Sequence, residues 1–310
     1  MSARINDEEF QPALPSPVIR DLACAKWFIL VDVSANVKKN LSKLSQRGPH
    51  RVFTGDLAYA GLDGVVYTPA EGNGLPAIAF GHDWTKDVKN YHETLRHLAS
   101  WGIVVAAPNT ERSAFPDHRG LSSDLTTTLQ ILAGVKLGEG NATVNPRRLS
   151  LAGHGMGAGA AVLAAANNDN VQSVAAIFPA ETSPSSYAAA RAVTAPGLVI
   201  GSDMPQLFSA GNPAKLAYNW KGNVAYREVD NLLQQQFTED RFVHKLIGLG
   251  AAKGAALKTV RALVTGFFLD TLDVEDKLDG FSAADAEGPH VKSFSGQKLA
   301  EKAGPSRDAI

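Results

Sequence analysis

The sequence predicts an α/β domain with a mostly parallel central sheet and helices on both faces. Three observations carry this. From residue 50 to residue 272, short apolar runs alternate with amphipathic, helix-forming runs. Residues 75–80, 102–107, 174–178 and 197–200 are apolar throughout rather than alternating, as strands covered on both faces are. One strand, 148–153, runs through a glycine-rich turn straight into the small-residue stretch 158–166, whose bulk suits a helix packed closely on a sheet.

The elements follow in order. Pro12, Pro15 and Pro17 argue against regular structure over residues 1–20, read as a flexible arm. Residues 34–45 place Val37, Leu41 and Leu44 on one stripe of a short basic helix, expected to cover a sheet edge. Residues 51–56 and 61–69 read as an antiparallel opening pair. Strand 75–80 leads through a loop to a helix over 91–100, then strand 102–107 and an amphipathic helix over 121–132. After the glycine turn come strands 174–178 and 197–200, then 223–229 as the expected last strand. A closing amphipathic helix spans 257–272. The polar, glycine-rich remainder reads as a flexible tail. The expected division is an arm with its helix over 1–48, the α/β domain over 49–274 and the tail over 275–310.

Bulk properties narrow the function. The chain has 310 residues, 45% hydrophobic and 20% charged, with net charge -1. Such a balance gives no general attraction to nucleic acid or an anionic membrane. Cys24 is the single cysteine, so no intramolecular disulfide can form. The N-terminus is polar and acidic, unlike a secretion leader, and the apolar run 27–31 is too short to span a bilayer. The expected location is cytoplasmic.

The turn itself reads Gly153-His154-Gly155-Met156-Gly157. Strand, sharp turn and helix are the setting of the G-x-S-x-G nucleophile elbow. Gly155 stands where the serine would be, and glycine has no side chain with which to attack a carbonyl. The rival reading is a dinucleotide loop. Its glycine spacing fits only with Ala160 last, and the next strand ends in Phe178-Pro179-Ala180 with no acidic residue for a ribose.

Residues 79–84, 91–108, 153–157, 195–203 and the closing helix, taken in this order, resemble one branch of the α/β-hydrolases. That branch contains dienelactone hydrolases, chlorophyllases and bacterial polyester hydrolases. The resemblance implies a Ser-His-carboxylate triad. Its nucleophile position is Gly155. Aligning Asp230 and Phe237-Thr238 puts Gln234 at the histidine position, and glutamine cannot exchange a proton near neutral pH. The carboxylate position falls near Asp203, in a loop shorter than the resemblance implies. The oxyanion hole implied by the resemblance uses backbone N–H groups, those of Met156 and Trp84, so it can outlive the triad. No cofactor is implied.

Other residues could replace the lost groups. Ser150 lies on the elbow strand and reads as structural, Ser202 has no visible base, and Cys24 lies outside the core of the resemblance. His82, Asp83 and His92 have metal-ligating chemistry, but Gly-His before the oxyanion residue is ordinary in the branch, and no metal is expected. Asp83 reads as a capped or paired loop aspartate, or as an acid or base beside the vacated position. The resulting expectation is a pseudoenzyme used for binding, scaffolding or regulation. Its candidate partners are a protein docking on residues 34–45 or on the tail, and a small acyl or carboxylate ligand. The alternative is an active esterase or lyase using Asp83, His82 or His154. In a third reading, Trp84 and Met156 plug the cavity.

Overall fold

The computed structural model describes residues 33–204, 211–240, 254–275 and 278–305. The described strands are β1 (Val52–Asp56), β2 (Gly64–Pro69), β3 (Gly72–Gly81), β4 (Val104–Pro108), β5 (Ala142–His154), β6 (Val171–Ile177), β7 (Gly197–Ser202), β8 (Val224–Val229) and β9 (Val291–Phe294). They form one sheet in the order β1-β2-β4-β3-β5-β6-β7-β8-β9. The centre, from β4 through β8, is parallel. Both ends are antiparallel, β1 on β2 and β2 on β4 at one side and β9 on β8 at the other.

Helices cover both faces. One layer holds α1 (Val33–Leu44), α2 (His92–Ser100) and α7 (Gly254–Thr271), whose apolar residues pack on Ile78, Phe80, Val105 and Leu198. The opposite layer holds α3 (His118–Gly134), α4 (Met156–Ala166), α5 (Ser186–Ala190), α6 (Pro213–Tyr218) and α8 (Gly296–Ala303). The small residues of α4 let it sit against β3. A Cβ on Gly157 would lie 2.2 Å from the Gly81 carbonyl oxygen, so only glycine permits the approach.

Three expectations are corrected. The α1 stripe of Val37, Leu41 and Leu44 is buried against α7 and the 279–281 turn, not against a sheet edge. The helix thus belongs to the main core rather than to an arm, and its apolar face is not free for a partner. Residues 1–32, which include the expected flexible arm over 1–20, lie outside the described residues. The second correction concerns the tail. Residues 291–303 form β9 and α8, held because β9 completes the hydrogen bonding of β8 and Leu299 buries its side chain. Buried Glu228 of β8 accepts a 2.7 Å contact from Lys302 of α8. Third, and as a consequence, β8 is followed by a further strand and is not the last.

Candidate active site at the elbow

The elbow has the backbone shape that the motif demands. Gly155 sits at φ 55° and ψ -117°, a region that costs a side-chain-bearing residue strain. Its N–H donates to the Ile177 carbonyl at 3.0 Å, and its own carbonyl accepts from the Ala180 N–H at 2.9 Å. These bonds fix the turn between the end of β5 and the start of α4.

Asp83 occupies the space in front of it. Its Oδ1 accepts hydrogen bonds from the Met156 N–H at 2.9 Å and the Trp84 N–H at 2.8 Å. These are the two amides that the resemblance assigns to the oxyanion hole, and the chain's own carboxylate fills it. A Cβ built on Gly155 would lie 2.0 Å from the same Oδ1. Carboxylate and nucleophile side chain therefore exclude one another. The plugging group is Asp83, whereas Trp84 is 53% exposed and its indole N–H donates to the Ala114 carbonyl. The oxyanion cradle is not open to an external carboxylate in this arrangement.

A buried polar chain backs this arrangement. The Asp83 N–H donates to the Tyr91 hydroxyl at 3.0 Å, and that hydroxyl lies 2.9 Å from His154 Nδ1. His154 Nε2 lies 3.1 Å from the Gln234 carbonyl oxygen. One proton arrangement satisfies every group: Tyr91 donates to Nδ1, and Nε2–H donates to Gln234. His154 is then neutral. Burial lowers its pKa, against the raising influence of Asp83. Burial also raises the Tyr91 pKa well above its ordinary value, with Asp83 adding to the effect. Phe178 and Phe237 pack around the His154 ring.

The remaining candidates stand as follows. Gln234 is buried on a short turn over Gln234–Phe237, beside the elbow through its backbone. Asp203 follows β7, and its Oδ1 accepts from the Asn231 N–H at 2.9 Å, tying down the loop that carries Gln234. His82 is buried with its ring between the Asp83 and Thr110 carbonyls, at 2.9 and 2.7 Å, and does not face the vacated site. Ser150 bonds Ser173, Ser202 accepts from the Met204 N–H, and His92 bonds Tyr67. Cys24 lies outside the described residues. Among the described residues, no group of three or more His, Cys, Asp or Glu is placed to hold a metal ion. None of their helices is long and apolar enough to cross a membrane. Sequence reasoning missed Tyr91, which links Asp83 to His154. Its only signal was a tyrosine opening the helix segment that carries the resemblance.

The comparisons agree with this architecture. A family model described as PET hydrolase-like matches residues 39–234. The chain is also similar to cutinase est1 of Thermobifida alba, with 25% identity over 195 residues. That alignment covers 60% of this chain and 64% of the cutinase, so it spans less than two thirds of the relative's length. With the family match extending from α1 to the Gln234 turn, the chain belongs to the PET hydrolase-like family.

Proposed function

We propose that this member of the family does not hydrolyse esters at its elbow and acts instead as a binding, scaffolding or regulatory protein. The observation that carries the reading is the Asp83 carboxylate bonded to both oxyanion amides in front of Gly155. Acyl transfer needs a nucleophile, a base and donors that stabilise the developing oxyanion. Here the nucleophile position has no side chain, the base position carries Gln234, and the donors are already engaged. A buried neutral His154 with both ring nitrogens bonded has no free valence to serve as a base.

One observation favours a second reading: Asp83 stands where the lost nucleophile would act, so a carboxylate could attack in its place. It would have to leave the amides first, since the same oxygen cannot be both nucleophile and occupant of the hole. The full chain should show no turnover of p-nitrophenyl butyrate above background and no labelling by a fluorophosphonate. Turnover that disappears in Asp83→Asn would establish the second reading and overturn the first.

A further inference from the structure

A second site lies outside the elbow. The end of α1, the first turns of α2 and the start of α7 enclose a groove of about 420 Å³. Arg47, Arg96, Lys258 and Arg261 line it, with Glu93 as the one carboxylate among the described residues. Arg261 is already matched: its Nη2 lies 3.0 Å from Glu239 Oε1, and its Nε donates to Thr94 Oγ1. Glu239 in turn accepts the Glu93 and Thr94 N–H groups at the start of α2.

The other three cations have no such answer. Among the described residues, the side chains of Arg47, Arg96 and Lys258 make no hydrogen bond or ion pair. Set against Glu93 alone, they leave a local excess of two positive charges. The chain as a whole carries -1, so this is not a spill-over from a basic protein. Other cations nearby do find carboxylates, as Lys43 does with Glu275 at 2.6 Å. His97, on the wall of the groove, has its pKa lowered to about 4, by burial first and by Arg261 second.

We propose that this groove binds a small phosphate-bearing molecule. A phosphate dianion matches the charge excess. Arginine forks fit its tetrahedral oxygens, and Lys258 supplies a point charge. A bare ion does not fill the groove, whose volume is that of a small-molecule site, so the ligand carries an organic or second phosphate group. The site is separate from the elbow, and its failure would leave the proposed loss of hydrolysis untouched.

Titration of the full chain with inorganic pyrophosphate at low ionic strength tests this. A saturable rise in Tm is expected, weakening as sodium chloride is added. Arg47 and Lys258 are exposed, so Arg47→Ala and Lys258→Ala should fold normally and each weaken the apparent Kd by roughly three- to tenfold. The double reversal Arg47→Glu with Lys258→Glu should abolish binding while leaving the ligand-free Tm unchanged. No Tm shift up to about 10 mM pyrophosphate would overturn the proposal. So would an undiminished shift in the double reversal, or an equal shift from sodium chloride at matched ionic strength. Binding of an acidic peptide without binding of pyrophosphate would overturn it too.

Discussion

Asp83 and Gly155 should behave as one energetic unit, and a double-mutant cycle measures it. Asp83 Oδ1 holds two backbone donors, at 2.8 and 2.9 Å, with its side chain 16% exposed. Hydrogen bonds to a charged group contribute roughly 1.5–3 kcal/mol each, and desolvation of the carboxylate offsets part of that. The Met156 N–H also belongs to the first turn of α4, where a negative charge adds up to about 1 kcal/mol. Asp83→Ala should therefore cost about 2 kcal/mol. Gly155→Ala carries two penalties. The backbone at φ 55° and ψ -117° adds strain of roughly 1–3 kcal/mol. The new Cβ, 2.0 Å from Oδ1, also expels the carboxylate and forfeits the same 2 kcal/mol or so.

In the double variant the second penalty has nothing left to remove. Its cost should fall short of the summed single costs by about 2 kcal/mol, well beyond the scatter of independent sites. Urea denaturation of the four proteins, followed by circular dichroism, supplies the free energies. Additivity within about 0.5 kcal/mol would refute the claim that Asp83 occupies the nucleophile's space.

Three further outcomes are expected. Gly155→Ser with Gln234→His should show weak turnover of p-nitrophenyl butyrate, since the new Cβ displaces the Asp83 carboxylate from the two amides, and adding Asp83→Gly should raise it by removing the group that competes for them; activity that falls on adding Asp83→Gly would contradict the plugged hole. Stability should fall as pH drops from about 6.5 to about 4. In that window folded His97, with its pKa lowered to about 4, stays neutral while the unfolded chain takes up a proton. The slope approaches about 1.4 kcal/mol per pH unit for this residue, and His97→Gln, which can still bond the Leu44 carbonyl, should flatten the denaturation midpoint against pH. Ending the chain at residue 287 removes β9 and α8, leaves buried Glu228 without Lys302 and bares the β8 edge. Lower Tm and faster aggregation should follow in light scattering, and an unchanged Tm would deny β9 its role.

The elbow was legible from glycines because geometry demands them. A Cβ on Gly153 would lie 2.3 Å from the Gly157 carbonyl, so the spacing is written into the chain by contact distance. The central strands were legible from apolar runs for a similar reason, since strands buried on both faces tolerate little else. What Asp83 does was not legible. It meets Met156 from 73 residues away, and a loop aspartate looks the same whether it caps its own turn or another helix. The match between a glycine at 155 and a carboxylate at 83 has meaning only once the two loops are known to touch. The C-terminal segment was misread for want of local signal. Four residues of strand and a helix burying only Leu299 and Ala303 carry too little periodicity to stand out from a polar tail.

The position of β9 has a consequence for synthesis. The strand that closes one margin of the sheet begins at Val291, long after its partner β8 ends at Val229. A chain is made from its N-terminus, so β8 leaves the ribosome well before β9 does. Until β9 docks, β8 waits as an open template with its N–H and C=O groups unmatched on one side. That interval is when the newborn chain is most exposed to pairing with a neighbour.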